Sequence, residues 1–157
     1  TSDNGGHAVA DRGPYRGRKT NLYEGGIRVP GCVVWPGHVR PGSRSDHVTM
    51  TFDMVPTLCA IADAEIPHPV DGHSILPELL GRSQPEDERV LLWSTPGKAK
   101  GLKGVPVYAV RYGDWKIVQP GPLAPMELYN LREDPYEQNP LPHDRPAYVR
   151  LSAWLRD

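Results

Sequence analysis

Residues 22–37 read LYEGGIRVPGCVVWPG and divide a glycine-rich segment from an apolar one. From residue 27 onward the run is short, rich in β-branched residues, and bounded by Pro and Gly, which predicts a buried strand. Residues 1–26 are dense in Gly and charge and show no helical period, so they predict a long loop. Loops longer than about 12–15 residues inside a domain are usually functional or disordered. Candidate functional residues are therefore expected first among residues 1–26.

The composition of the 157 residues excludes several classes of protein. The chain has 16 Gly and 18 Pro, but its four Trp, seven Tyr and net charge of −1 argue against disorder. Its longest apolar run is far shorter than the roughly 18 residues of a membrane span. A near-neutral charge gives no general attraction to nucleic acid or anionic membranes. The two cysteines are too few for a disulfide framework or a zinc site.

Two helices are predicted after the apolar run. Residues 51–64 carry one helical stripe of apolar residues, with Thr51 or Asp53 available to cap its start. The members of that stripe are Met54, Val55, Leu58, Ile61 and Ala62. A short helix over residues 74–80 would end at Gly81. Cys32 in the strand and Cys59 on the apolar stripe are interpreted as small core residues.

The hydrophobic period changes to two beyond the polar linker at residues 82–89. Four strands are predicted, at Val90–Trp93, Val107–Tyr112, Trp115–Val118 and Glu127–Leu131. Gly113 and Asp114 form a two-residue link with Gly first, as a type II′ hairpin prefers.

The last predicted element is an amphipathic helix from Asp144 to Arg156, with Asp144 as its N-cap. Its apolar face comprises Tyr148, Leu151, Trp154 and Leu155. We therefore expect a small antiparallel sheet covered by one helix, preceded by the end of an α/β layer.

Asp3 and Asn4 offer a carboxylate and an amide oxygen, the ligand types of Ca²⁺ or Mg²⁺. The alternative is an Asx turn, in which the same side chains bond the local backbone. The basic run at residues 16–20 is a solvated turn or an anion site at Lys19, since a phosphate loop would need a different spacing. Glu24 is expected to pair with Arg28 or to cap a turn.

The order and spacing of nine blocks resemble the sulfatase family. These blocks are SDNGG at 2–6, PYRGRK at 14–19, LYEGGIRVP at 22–30, WPG at 35–37, DMVPTL at 53–58, DGHS at 71–74, LG at 80–81, VRYGDWK at 110–116 and ELYNLREDPYEQN at 127–139. The similarity covers nearly the whole chain. It implies the C-terminal portion of an alkaline-phosphatase-like α/β/α core at residues 1–84, followed by a small antiparallel β subdomain with a terminal helix at residues 85–157.

The resemblance also implies roles for three residues. Asp3 and Asn4 match the family's divalent-cation ligands, usually for Ca²⁺ with Mg²⁺ possible, and Lys19 matches the lysine that contacts the substrate sulfate. The family's formylglycine nucleophile arises from a C/S-x-P-x-R motif, which neither Cys32 nor Cys59 fits. We therefore expect the nucleophile upstream of this chain, in a missing N-terminal part of the same protein. The isolated chain is expected to be inactive.

The resemblance implies a sulfated small molecule or glycan as substrate, and a periplasmic, secreted or lysosomal protein. Two alternatives stay open. One is a phosphate or phosphonate ester hydrolase of the same superfamily. The other is a noncatalytic module that binds Ca²⁺ or a sulfated glycan. Lys98, Lys100 and Lys103 would suit a polyanionic glycan, or would form a solvated loop.

Overall fold

A computed structural model describes residues 1–7, 13–66, 68–82, 89–97 and 101–155. The helices in these ranges are α1 (Glu24–Ile27), α2 (Met54–Ala62), α3 (Leu76–Leu79) and α4 (Pro146–Ala153), with a 3-10 turn at Thr51–Asp53 before α2. The strands are β1 (Val90–Pro96), β2 (Pro106–Tyr112), β3 (Trp115–Val118) and β4 (Glu127–Asn130). No helix of the described residues is long and apolar enough to cross a membrane.

The chain divides into two compact units. One unit joins residues 1–30 to residues 88–157, and the other comprises residues 31–87. The N-terminal segment therefore packs with the sheet, although residues 31–87 separate the two in the sequence. The predicted boundary between residues 84 and 85 stays a prediction, because residues 83–88 lie outside the described ranges.

The first unit is built on a four-stranded antiparallel sheet in the order β1-β2-β3-β4. All four strands were predicted from the period of two, and each agrees to within a few residues. Tyr112 pairs with Trp115 across the tight turn. Gly113 in that turn has a φ of +56°, which the first central residue of a primed hairpin turn requires.

The two faces of this sheet hold separate apolar clusters. The first cluster places Leu22 and Tyr23 of the N-terminal segment against strand residues, namely Val107, Ala109, Val118, Tyr129 and Leu131. The second places Leu151 of α4 against Val110 and Ile117. Tyr148, Trp154 and Leu155 pack there too, which confirms the predicted apolar face of this helix.

The predicted N-cap of α4 is wrong. The capping position is Arg145, in extended geometry and without a side-chain cap, and not Asp144. Pro146 begins the helix, and its fixed φ suits the first helical position, where no amide donor is needed. The helix ends at Ala153, three residues before the predicted end at Arg156, which itself lies outside the described residues.

The second unit is organised by a buried carboxylate. Asp53 is fully buried, and its two carboxylate oxygens accept hydrogen bonds from the backbone N–H groups of Met50, at 2.7 Å, and His73, at 3.0 Å. Thr57 donates to the carbonyl of Asp53 and accepts from the N–H of Ile75. These bonds turn Pro56 and Thr57 of α2 inward.

The predicted helix over residues 51–64 is confirmed by the 3-10 turn and α2, but the predicted strand at residues 27–37 and the core positions of the two cysteines are wrong. The apolar stripe of α2 is exposed in part, at Met54, Val55, Leu58 and Ile61, because the opposite face carries the Asp53 network. The segment at residues 27–37 is not a strand, and Val34 and Cys32 are exposed. None of the strands in the described ranges pairs with it, and an unpaired strand leaves its backbone groups unsatisfied. Cys59 is partly exposed.

Candidate functional site

Main-chain hydrogen bonds join three stretches of the N-terminal segment to one another. The N–H of Gly5 donates to the carbonyl of Gly26 at 2.8 Å, and the N–H of Gly25 donates to the carbonyl of Arg16 at 2.7 Å. The N–H of Lys19 donates to the carbonyl of Gly6 at 2.9 Å. Loop 3–6, loop 15–21 and α1 are thus joined directly through main-chain hydrogen bonds. We call this arrangement the glycine junction.

The glycines allow this close approach because they carry no Cβ. A Cβ at Gly5 would lie 2.1 Å from the carbonyl oxygen of Gly25, and one at Gly26 would lie 2.1 Å from that of Asn21. A Cβ at Gly25 would lie 2.6–2.8 Å from three backbone carbonyl oxygens. Each of these distances is shorter than any real Cβ contact, and each neighbour is backbone. Any larger residue would force the loops apart.

The glycine junction joins the loop that carries Lys19 to the segment that carries Asp3 and Asn4. Lys19 is exposed, and its backbone bonds the residue two positions after Asn4. Asp3 is exposed and Asn4 half-exposed. The Asp3 carboxylate accepts a weak hydrogen bond from the Ser2 hydroxyl at 3.4 Å, so local bonding leaves most of its oxygen lone pairs available.

The donor set fits a hard divalent cation, since it consists of oxygen from a carboxylate and an amide. It is nevertheless incomplete. Ca²⁺ takes 6–8 oxygen ligands. Across the described ranges no group of three or more His, Cys, Asp and Glu could hold a metal ion. Asp3 and Asn4 would thus be only two ligands of such a site, and their binding of a cation stays a prediction. His7 is exposed and belongs to no metal-binding group among the described residues.

A buried ion cluster lies next to the glycine junction. The Lys116 ammonium lies 2.8 Å from Glu24 Oε1 and 2.8 Å from Glu137 Oε1. The N–H of Glu24 donates to Glu137 Oε2 at 2.6 Å. All three side chains are at most 4% exposed. The cluster ties α1 to β3 and to the turn that follows β4.

Two carboxylates share one buried ammonium in this cluster. Burial is the main cause that raises the pKa of Glu137, and it outweighs the attraction of Lys116. Arg28, the predicted partner of Glu24, has its guanidinium 3.8 Å from Glu24 Oε2. Because Arg28 is half-exposed, it offsets the charge of Glu24 only at the solvent-facing edge of the cluster. The interior of the cluster thus holds more carboxylates than cations, which favours a proton on Glu137.

A second polar network holds loop 15–21 against the sheet. The Arg16 guanidinium donates to Glu127 Oε2 at 3.0 Å, to the Tyr129 hydroxyl at 2.6 Å and to the Glu137 carbonyl at 3.0 Å. It also lies over the ring of Tyr23, 3.9 Å from the centroid. Arg16 therefore connects the loop that carries Lys19 to β4.

Glu127 is the acceptor at the centre of this network. Tyr23 donates to its Oε2 at 2.7 Å, and Tyr129 donates to the same oxygen. Burial by itself would raise the pKa of Glu127, but the two hydroxyl donors and the Arg16 charge outweigh it and lower that pKa. Burial, followed by the bonds to Glu127, raises the pKa of both tyrosines. Both phenols therefore stay protonated donors.

Sequence reasoning placed Asp3, Asn4 and Lys19 but missed the residues that hold them. Lys116 and Glu137 were not singled out as partners of Glu24, nor was Glu127 as a partner of Arg16. One signal was present, because Lys116 stands within the strand Trp115–Val118, whose other members are apolar or aromatic. A buried lysine needs a carboxylate partner, yet a spacing of 92 residues from Glu24 gives no local hint.

A sequence model of the family described as "N-sulphoglucosamine sulphohydrolase, C-terminal" matches residues 15–157. The chain belongs to the sulfatase family. Steryl-sulfatase from Homo sapiens is 38% identical over 198 aligned positions, which cover 100% of this sulfatase chain and 33% of the human protein. A sulfatase from Formosa agariphila is 34% identical over 167 positions, covering 99% of the chain and 30% of that protein.

Solved structures support the fold. The structure of BT4656 in complex with its substrate D-glucosamine-2-N,6-O-disulfate has a TM-score of 0.59 and 24% identity to this sulfatase chain. The match covers 78% of the chain and 26% of BT4656. The expected fold, the C-terminal part of a sulfatase with a small antiparallel sheet and one packed helix, is thereby confirmed. The chain spans about a third of the length of the human and Formosa relatives.

Proposed function

We propose that the protein carrying this chain hydrolyses sulfate esters, and that the chain supplies part of its cation and sulfate site. Membership of the sulfatase family supports the reaction class. The observation that carries the residue assignment is the 2.9 Å hydrogen bond from the Lys19 N–H to the Gly6 carbonyl. It joins the loop of the candidate anion-binding lysine to the segment of the candidate cation ligands.

Asp3 and Asn4 would contribute two of the oxygen ligands of a divalent cation, with Ca²⁺ as the first choice and Mg²⁺ as the second. A bound cation supplies positive charge that holds sulfate oxygens and offsets charge that develops on them. The remaining ligands, and the formylglycine nucleophile, would come from other parts of the protein. The chain's own role is to position two ligands and one ammonium.

Lys19 would bind a sulfate oxygen through its ammonium. The exposed side chain is free to approach a ligand, while its backbone is fixed by the glycine junction. A fixed cation aimed at an oxyanion stabilises the charge without reorganisation, and loss of one such group typically lowers kcat by about 10²–10³-fold. The substrate class that fits is a sulfated small molecule or glycan.

The test is an assay of the complete protein with 4-nitrophenyl sulfate. We expect Lys19→Ala to lower kcat/KM by about 100-fold. Lys103→Ala is the matched control, since Lys103 is also exposed and in the same unit. A contact of Lys103 with a polyanionic glycan would not affect this small aryl sulfate, so kcat/KM should stay within twofold. Asp3→Ala should raise the Ca²⁺ concentration needed for half-maximal activity, which Lys103→Ala should not change.

Parallel assays with 4-nitrophenyl phosphate and a phosphonate monoester separate the alternative reaction class. Faster turnover of either than of the sulfate ester would overturn the proposal. Equal activity of the Lys19 and Lys103 variants would overturn the role of Lys19 alone. The isolated 157-residue chain should show no turnover of an aryl sulfate, and a Ca²⁺ dissociation constant tighter than about 10 μM would favour the noncatalytic module.

A further inference from the structure

A cavity of about 430 Å³ lies between the sheet and α4. It is lined by Tyr112, Trp115, Arg145, Pro146, Ala147, Arg150 and Leu151. These residues all belong to the first unit. The volume falls in the range of small-molecule sites, roughly 300–1,000 Å³. Its floor belongs to the sheet face opposite Lys116, so none of the residues of the glycine junction lines it.

Two arginines are among the residues that line this cavity. Both arginines are exposed; Arg145 occupies the N-cap position of α4, and Arg150 lies in its second turn. Neither forms an ion pair with any residue of the described ranges. Two unneutralised guanidinium groups at one concave surface favour an oxyanion, because Arg donates paired hydrogen bonds to carboxylate, sulfate or phosphate oxygens.

Arg150 is held in position by aromatic rings. Its guanidinium lies 4.2 Å from the centroid of Tyr112 and 5.8 Å from that of Trp154. Such stacking restricts the side chain while it leaves the edge of the guanidinium able to donate. A cation that is already ordered loses less conformational entropy when it binds an anion. The Arg150 guanidinium is therefore already ordered before an anion binds.

The helix adds a second, independent source of positive potential. Arg145, Pro146 and Ala147 form the start of α4, an eight-residue helix, and they line the cavity directly. Pro146 has no N–H, and the N–H of Tyr148 donates to the Arg145 carbonyl at 2.9 Å. The Ala147 N–H is therefore the group of the first helical turn that can face an anion, within the partial positive charge of the helix N-terminus. The acidic side chain closest in sequence to the floor, Asp114, lies 3.9 Å from the guanidinium of Arg132, which offsets its repulsion.

The rest of the lining is apolar. Trp115, Pro146, Ala147 and Leu151 provide the walls, and Leu151 is buried while Trp115 is half-buried. A simple inorganic anion would gain nothing from these walls. A compound that carries an oxyanion on a ring with an apolar face would use both the guanidinium groups and the indole surface.

We propose that this cavity binds the oxyanion of a small ring compound, such as a sulfated sugar or an aryl sulfate, with Arg145 and Arg150 on the anion and Trp115 against the ring. The site is a binding site beside the proposed hydrolytic function and does not depend on it. It would bind a sulfated ligand even if the protein hydrolysed a different ester.

The test measures binding to the complete protein by calorimetry, in a Lys19→Ala background that slows turnover. The probes are N-acetylglucosamine 6-sulfate, 4-nitrophenyl sulfate, unsulfated N-acetylglucosamine and inorganic sulfate. We expect one or both sulfated rings to bind at least tenfold more tightly than the neutral sugar and inorganic sulfate. The tighter of the two sulfated rings identifies the ligand as a sugar or an aryl compound.

The variants are Arg145→Ala and the double change Arg145→Ala with Arg150→Ala. The double change should weaken binding of the sulfated ring at least tenfold and the single change several-fold. The control is Arg40→Ala with Arg44→Ala, which removes the same charge from exposed sites of the second unit and should stay within twofold. Arg145 has no side-chain contact among the hydrogen bonds and ion pairs of the described residues, so its removal leaves folding intact.

Two results would overturn the proposal. Equal affinities in the Arg145/Arg150 and Arg40/Arg44 variants would show that the cavity is not the site. Inorganic sulfate binding as tightly as both sulfated rings would show that the apolar walls take no part. Neither result bears on the hydrolytic proposal, which is tested by turnover.

Discussion

One face of the four-stranded sheet is joined to its neighbour through buried charge, and the other through apolar side chains. On the first face Lys116 of β3 contacts Glu24 and Glu137. On the second face Ile117, the next residue along the same strand, packs against Leu151 of α4. Successive residues of a strand point to opposite faces, so one four-residue strand serves both.

Apolar contacts and buried ion pairs contribute differently to the stability and the specificity of the fold. Apolar packing stabilises in proportion to the buried area but tolerates small shifts. A buried ammonium between two carboxylates stabilises little in net terms, yet it penalises every arrangement that separates the charges. The charged face is the one that fixes α1 and, through the glycine junction, the loop of Lys19. The face that needs exact placement is thus the polar one.

The largest expected effect comes from removing the buried ammonium. Lys116→Met keeps the approximate volume but leaves Glu24 and Glu137 buried without their cation, which should lower the free energy of unfolding by about 3–5 kcal/mol. Urea denaturation measures the change. Lys103→Met, at an exposed position, should shift it by less than about 0.5 kcal/mol. A loss from Lys116→Met as small as that of the control would show that the ion cluster does not hold α1.

A somewhat smaller loss is expected on the apolar face. Leu151 is 1% exposed, and Leu151→Ala should lower the free energy of unfolding by about 3 kcal/mol, from lost burial and a residual cavity. Leu123→Ala is the control, since Leu123 is 84% exposed and should change little. Activity gives a second comparison of the two faces. The folded Leu151→Ala variant should keep the wild-type kcat/KM for an aryl sulfate, because the apolar face does not hold the loop of Lys19. A large fall in kcat/KM would break the assignment of the two faces to different roles.

The smallest effect is a pH dependence on the charged face. Because the pKa of Glu137 is raised on folding, its contribution to stability is full at pH below the ordinary carboxyl range and is lost as pH rises through the raised pKa. Glu137→Gln should remove this decline, so wild type loses stability relative to the variant as pH rises above about 4.5, by at most about 1.4 kcal/mol per pH unit. Unfolding free energies at several pH values measure it.

Glu133→Gln is the matched control for that series, since Glu133 is exposed and lies four residues earlier. Its pH profile should follow wild type. Glu127 should act in the opposite direction, because its lowered pKa contributes stability that disappears as pH falls. Identical profiles for wild type and Glu137→Gln would mean that Glu137 titrates alike in the folded and unfolded protein.

Local patterns predicted the sheet well because each strand alternates or is bounded by turn residues. The hairpin at Gly113 and the apolar face of α4 followed from spacing alone. Residues 27–37 failed because an apolar run shows a tendency to be buried but does not supply a partner strand. The stripe of α2 failed similarly, since Asp53 and Thr57 form long-range bonds to His73 and Ile75 that direct the other face inward.

The candidate site shows the same division. Asp3, Asn4 and Lys19 could be named from the sequence, since their chemistry and ordered spacing lie within 19 residues. The sequence by itself also determined the family and the four strands, whereas the need for glycine at positions 5, 25 and 26 was shown only by the structure. Only the tertiary structure decided which residues hold these loops: Glu24 meets Lys116 and Glu137, and Arg16 meets Glu127, across 92 to 113 positions. Contacts that distant depend on how the sheet and loops pack in space, and local sequence does not encode that packing pair by pair.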